Sequence, residues 1–192
     1  MKRLKQINNG VKYMLFASFT FAIMGAFAKL ASQHISSLEV VFFRNVFGVA
    51  IISYTIYKKP MKHTGGKPLL LLFRGTMGFM ALLAYFYNIA HISLGDAVTF
   101  SKTAPIFTAV FAWLFLNEKL PLKGWLAVFI GFFGILLITQ PTLGFSKYDF
   151  LGIFSGVGAA LAYTSVRELR NFYDTRAIVL SFTLVGTIGP VV

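Results

Sequence analysis

Seven apolar stretches follow one another along the chain, at roughly 11–32, 37–57, 69–91, 95–116, 122–140, 148–168 and 177–192, with polar and basic residues gathered in the gaps. Each is close to the ~20 residues an α-helix needs to cross a bilayer's hydrocarbon core. Lipid offers no partners to backbone N–H and C=O groups, so a spanning segment of this kind is helical. The pattern predicts an all-α polytopic membrane helix bundle of about seven transmembrane helices. The first stretch follows a basic N-terminus, as a signal peptide would. Its apolar run, Val11 to Ala31, is longer than the ~7–15 residues of a signal core and has no small-residue cleavage site, so it reads as a retained helix.

The basic residues occupy every second gap. Lys2, Arg3, Lys5 and Lys12 precede the first span, and Lys58, Lys59, Lys62 and Lys67 fill the gap after the second. Lys119 and Lys123 follow the fourth span, while Arg167, Arg170 and Arg176 cluster after the sixth. Lys29 and Lys147 are the main cations of the intervening gaps. Cytoplasmic loops of membrane proteins carry such an excess, which predicts a cytoplasmic N-terminus and short external loops. An odd number of spans puts Val192 outside. The last stretch is short and stops at Gly189-Pro190-Val191-Val192, so further helices are expected beyond it.

Composition narrows the function. Hydrophobic residues make up 57% of the chain and charged residues 12%, about half the charge of a soluble domain. The formal charge of +12 raises nucleic acid as a partner. That reading is set aside, because the cations lie at helix ends and not on one water-soluble patch. There is no Cys, and His34, His63 and His91 are scattered, so no metal site and no cofactor are expected. No nucleophile motif, paired-acid site or nucleotide loop points to an enzyme.

Local signals mark the helix starts. Ser36-Ser37-Leu38-Glu39 fits a capping box, and Ser93-Leu94-Gly95-Asp96 repeats its logic. For Glu39 and Asp96, capping stands beside an alternative role in attracting a cation at the outer mouth. Pro105 lies inside the fourth span, where it deletes a backbone hydrogen bond and bends or loosens the helix. Transporters often bind solute beside such interruptions, and a packing kink is the alternative reading. Gly152, Gly156, Ala160 and Thr164 form a small-residue stripe, and Gly124 and Gly131 share a face, which predicts close helix contacts. A shift of 138 positions sets Arg167 on Lys29 and Gly186 on Gly48. The first span would start inside and the sixth outside, so an equivalence would make the repeats inverted.

The candidate functional residues are the polar ones at membrane depth. Arg44 lies about 10 Å along its helix from the outer end. It is either a bidentate partner for a carboxylate or phosphate, or a structural cation held by carbonyls or an acid. Lys102, beside Ser101, Thr103 and Pro105, either faces a cavity or snorkels outward. Arg74 sits nearer the cytoplasmic end and also has a snorkelling alternative. Arg74, Gly78, Ala81, Tyr85 and Asn88 follow helical spacing as one small or polar face, a candidate cavity wall. Tyr85 and Tyr87 either stack on solute or belong to the aromatic belt. Glu39, Asp96, Glu118, Asp149, Glu168 and Asp174 all fall at ends or in loops, so no intramembrane carboxylate relay is expected.

These features resemble the EamA-type branch of the drug/metabolite transporter superfamily. The resemblance rests on Tyr87-Asn88-Ile89-Ala90-His91-Ile92-Ser93-Leu94-Gly95-Asp96-Ala97, Thr103-Ala104-Pro105-Ile106-Phe107-Thr108, Phe115-Leu116-Asn117-Glu118-Lys119-Leu120, Gly124-Trp125 and Gly131-Phe132-Phe133-Gly134. Leu38-Glu39-Val40-Val41-Phe42-Phe43-Arg44 and Arg74-Gly75 resemble a bacterial subgroup that includes S-adenosylmethionine uptake carriers. The resemblance implies ten helices in two inverted five-helix repeats around a central cavity. The first repeat would occupy about 11–140, and 148–192 would be the incomplete start of the second. Glu118 would be a structural helix-end acid.

The expected activity is transport of a small organic metabolite by alternating access, with an S-adenosylmethionine-like or amino-acid-derived solute in view. The expected location is a bacterial cytoplasmic (inner) membrane, with lipid and the solute as partners and a homodimer left open. Arg44 and Lys102 would hold an anionic group, while Arg74, Tyr85, Asn88 and Thr103 would shape and orient the solute. The alternative is a non-transporting, receptor-like seven-helix protein.

Overall fold

The computed structural model describes residues 9–61, 65–116, 119–139 and 146–191. Among them every regular element is helical: α1 (Asn9–Ala31), α2 (Ser37–Lys58), α3 (Pro68–His91), α4 (Leu94–Ser101), α5 (Ala104–Leu116), α6 (Leu122–Thr139), α7 (Lys147–Leu169) and α8 (Thr175–Ile188). Helices α4 and α5 are the halves of one interrupted span. Counted that way, five spans are long and apolar enough to cross a bilayer, and α6 and α8 are shorter apolar helices. The periphery is greasy: Phe16, Phe47, Phe129 and Ile130 are each about two-thirds exposed or more. Such a continuous apolar surface belongs in lipid, not water.

The sequence encodes the helix ends. Ser36 Oγ accepts from Glu39 N, and Glu39 Oε2 accepts from Ser36 N at 2.7 Å, completing the capping box of α2. Helix α7 begins with the same device, Ser146 with Asp149. At α4 the pattern differs: Ser93 Oγ accepts from Asp96 N and donates to Asp96 Oδ2 at 2.7 Å, so the acid holds the capping hydroxyl and not the Ser93 backbone. Asp174 caps α8 and grips Arg176, whose Nη1 donates to the carbonyls of Thr55 and Lys59. That ties the start of α8 to the end of α2. Asn117, Glu118 and Lys62 lie outside the described residues.

The polar caps and cations sort the bundle's two ends. Glu39, Asp96 and Asp149 begin helices at one end; Lys58, Lys59, Lys67, Arg167, Arg170 and Arg176 gather at the other. Lys67 pairs with Glu168 there, joining the start of α3 to the end of α7.

Helix α3 is the central post. It packs on α7 and α8 most extensively and also on α1, α2 and α4. Close approach follows from its small face. A methyl on Gly75 would meet Val185 Cγ2 at 2.9 Å, and one on Gly158 of α7 would meet Ala81 at 3.1 Å. In lipid, where hydrophobic burial gives helices little reason to associate, such backbone proximity supplies the dispersion contact. Helices α2 and α8 cross antiparallel through matched contacts: a methyl on Gly48 would meet Thr183 at 2.8 Å, and one on Gly186 would meet Asn45 at 2.5 Å. The C-terminus of α3 is closed by a side chain from elsewhere: Lys29 Nζ donates to Ile89 O at 2.7 Å and Ile92 O at 2.8 Å.

Candidate functional site

The fourth span breaks where a proline must break it. Pro105 has no N–H to give the Ser101 carbonyl, and the helix stops at Ser101 and restarts at Ala104. Thr103 N and Oγ1 both donate to Phe100 O, at 3.0 and 2.6 Å, rounding off α4. The break exposes Lys102 and Pro105 toward the bundle's middle. A cavity of about 420 Å³ opens there, bounded by α1, α2, α3, the α4–α5 break, α7 and α8.

Its polar lining is cationic. Arg44 comes from α2, Arg74 from α3 and Lys102 from the break, and no Asp or Glu lines it. Among the described residues, no hydrogen bond or ion pair to protein engages the side chain of Arg44 or Lys102. Instead, Arg44 and Arg74 both lie over the Phe182 ring of α8, at 5.9 and 4.9 Å from its centroid. Lys102 Nζ lies 5.7 Å from the Phe21 ring of α1, and Phe21 stacks on Tyr85 with centroids 5.9 Å apart. The aromatic faces supply partial negative charge, but cation–π contact contributes only about 0.5–2 kcal/mol and leaves guanidinium N–H groups without acceptors.

Two of the deepest polar atoms are unpartnered. Arg74 is 9% exposed and Tyr85 4%, and neither Arg74 Nε nor Tyr85 OH has a hydrogen-bond partner among the described residues. A buried donor left unpaired costs about 1–3 kcal/mol, more when charged. An acceptor-rich solute in the cavity would relieve that cost. Ser18, Ser101 and Ser155 add hydroxyls to the lining, and Tyr163 adds a second phenol.

Sequence reasoning named Arg44, Arg74, Tyr85, Lys102 and Pro105, and the fold brings these around one cavity. Asn88 and Thr103 are elsewhere. Asn88 is 1% exposed and its Nδ2 donates to Tyr148 O at 2.9 Å, fastening α3 to the start of α7. Thr103 is 4% exposed, bonded to Phe100 O and packed against Gly156. Tyr87 is also away from the cavity, stacked on His91 with centroids 4.0 Å apart. Phe21, Tyr163 and Phe182 were not singled out. With 22 Phe in the chain, composition gave no reason to choose two of them. The 138-position shift carried a signal for Phe182, since it lands there from Arg44. A second, larger groove of about 610 Å³ opens near the acid-capped end, but no Lys, Arg, Asp or Glu lines it.

Residues 8–140 match the model of the EamA-like transporter family. The chain belongs to that family. An uncharacterized transporter of Helicobacter pylori (strain ATCC 700392 / 26695) is 38% identical over 94% of this chain and 63% of its own length. The pseudopaline exporter CntI of Pseudomonas aeruginosa (strain UCBPP-PA14) is 35% identical over 96% of this chain and 66% of its own. The S-adenosylmethionine uptake transporter of Rickettsia prowazekii (strain Madrid E) is 25% identical over 72% of this chain and 47% of its own. The chain thus spans less than two thirds of the length of these relatives. No solved structure matches it. The EamA-like family and its relatives are transporters, which agrees with a helical bundle whose surface suits lipid and whose polar groups face inward.

Proposed function

We propose that this EamA-like chain forms the solute-bearing part of a carrier that moves a small organic anion across a bacterial cytoplasmic membrane by alternating access. One observation carries the proposal: three cations from three separate elements meet around one cavity that no acid lines. An intramembrane Arg is costly unless a wet cavity or a partner compensates it, so two of them facing the same space mark a functional site. A guanidinium binds carboxylate or phosphate through two parallel N–H donors, and Lys102 adds a point charge.

The repeat reading is supported by registration of the helices. A shift of 138 positions carries α1, Asn9–Ala31, onto α7, Lys147–Leu169, end for end. It also carries the cap Ser36 of α2 onto the cap Asp174 of α8. The same shift exchanges the two central contacts, since Asn45 goes to Thr183 and Gly48 to Gly186. Under it Arg44 maps onto Phe182, its own contact partner, so the cavity lies beside the axis relating the two segments. Carriers built of inverted repeats hold their solute at such an interface near the bilayer midplane, and rocking of one repeat on the other alternates access. On this reading 11–140 is the first repeat and 148–192 opens the second. The cations gathered at one end support placing that end, and the N-terminus, in the cytoplasm.

The cation-rich lining also orders the solutes suggested by the relatives. An amino-acid-derived solute presenting carboxylate fits directly. An S-adenosylmethionine-like solute would bring its sulfonium among three like charges, since Lys102 already lies 5.7 Å from the Phe21 ring. The test is a screen of radiolabelled amino-acid-derived acids and S-adenosylmethionine in proteoliposomes containing the protein, with Arg44→Ala in parallel. The proposal expects saturable movement of an organic acid that Arg44→Ala abolishes while membrane insertion is intact. Normal transport by a properly inserted Arg44→Ala protein would overturn the assignment.

A further inference from the structure

Resting on that reading, we infer that the solute carries two separated anionic groups joined by an apolar or planar segment, because the cavity has two cationic poles held over different aromatic rings. The first pole is the pair Arg44 and Arg74, which share the Phe182 ring at 5.9 and 4.9 Å. They come from adjacent helices, so two guanidiniums converge on one region, as a carboxylate taking two donors from each requires. The second pole is Lys102, on the α4–α5 break, which reaches the Phe21 ring at 5.7 Å.

The poles sit on different rings, Phe182 for the guanidiniums and Phe21 for Lys102. Phe21 in turn stacks on Tyr85, 5.9 Å between centroids and 23° between planes. Both rings line the cavity, Tyr85 buried and Phe21 half-buried. A single monovalent group cannot neutralise both poles. A dianion does so, and its middle lies along Phe21, the more exposed ring of the pair. The cavity, at about 420 Å³, falls in the usual size range for sites that enclose a small metabolite.

The division of labour differs between poles. Arg74 is buried with its Nε unpartnered, whereas Lys102 is exposed at the break. The guanidinium pole therefore supplies anchoring to any carboxylate, and Lys102 supplies the preference for a second one. Lys102 is thus a specificity-determining residue.

Equilibrium dialysis of the detergent-purified protein with matched labelled probes separates these roles. N-benzoylglutamate is a dianion with an aromatic segment, and N-benzoylglutamine is nearly the same shape with one charge; N-benzoylaspartate and N-benzoylasparagine repeat the comparison one methylene shorter. In at least one pair the dianion binds about tenfold tighter, the size of one charge-assisted contact. Lys102→Gln removes that gap and leaves monoanion affinity within about twofold. Arg44→Gln weakens both members of the pair. Equal affinities within both pairs, with Arg44→Gln still weakening binding, would overturn the two-pole inference and leave the anion carrier standing. Binding of all four probes indifferent to Arg44→Gln, or absent altogether, would overturn both.

Discussion

Substituting Gly156 by alanine tests how the α4–α5 break is held against α7. The new methyl would overlap the Thr103 hydroxyl and approach Phe100 O to 3.2 Å and Thr103 Cβ to 3.4 Å. The hydroxyl has little room to retreat, because it is buried and donates to Phe100 O at 2.6 Å. Overpacking of this kind costs about 1–3 kcal/mol, and losing the hydroxyl's bond adds about 1 kcal/mol. Replacing glycine by alanine within a helix returns about 1 kcal/mol. The net loss for Gly156→Ala is therefore about 2 kcal/mol. Thr103→Ala alone should cost about 1 kcal/mol for its hydrogen bond. In the double variant the overlap with the hydroxyl is gone and the 3.2 Å approach to Phe100 O is the tight contact left, so its stability should return to within about 1 kcal/mol of the parent, giving a coupling of about 2–3 kcal/mol. Unfolding in mixed micelles, followed by circular dichroism as denaturing detergent is added, measures all four corners of the cycle. Additive losses, or a Gly156→Ala protein as stable as the parent, would refute this packing of the break.

Other substitutions probe the ends of the bundle. Lys29→Met removes the cation that closes the end of α3, and the loss of its two charge-assisted bonds, at 2.7 and 2.8 Å, predicts a cost of about 1.5–3 kcal/mol in the same unfolding assay. Glu168→Gln should change stability by less than about 1 kcal/mol, because its pair with Lys67 is more than a third exposed on both sides. The bonds from Arg176 hold the Asp174 carboxyl down at about 2, against an ordinary value of 3.8. A depressed carboxylate stabilises the fold above its unfolded value and loses that contribution as pH falls through its folded one. The thermal midpoint of the parent should therefore drop relative to Asp174→Asn between about pH 4 and pH 2, with a constant difference above about pH 5. A difference that does not vary with pH would contradict the pairing.

The helices were legible because lipid imposes a simple rule on them: long apolar runs, bounded by caps and cations. The capping box at Ser36 and the break at Pro105 followed from local chemistry, which the fold preserves. Ser146 and Asp149 carry the same box and were equally readable. Arg44, Arg74 and Lys102 stood out because charge is rare at membrane depth. Asn88 and Thr103 looked equivalent to them, yet the side each faces depends on neighbours far along the chain: Tyr148 takes the amide of Asn88, and Gly156 receives Thr103. Lys29 read as a loop cation, because nothing local reveals that the end of α3 arrives beside it. Phe182 was hidden among many phenylalanines, and its two guanidinium contacts bring it out in the fold.

The most direct test of a wet, cationic cavity uses the absence of native Cys. Ala159→Cys and Ser101→Cys each put a lone thiol on the cavity lining, and Phe129→Cys puts one on the greasy periphery. Each is treated in membranes with an anionic and a cationic methanethiosulfonate of similar size, and the ratio of rates is compared with that of a free thiol. The cavity predicts that both lining thiols react and favour the anionic reagent over the free-thiol ratio, while the peripheral thiol stays unreactive. Lining thiols that remain inert, or that favour the cationic reagent, would contradict it.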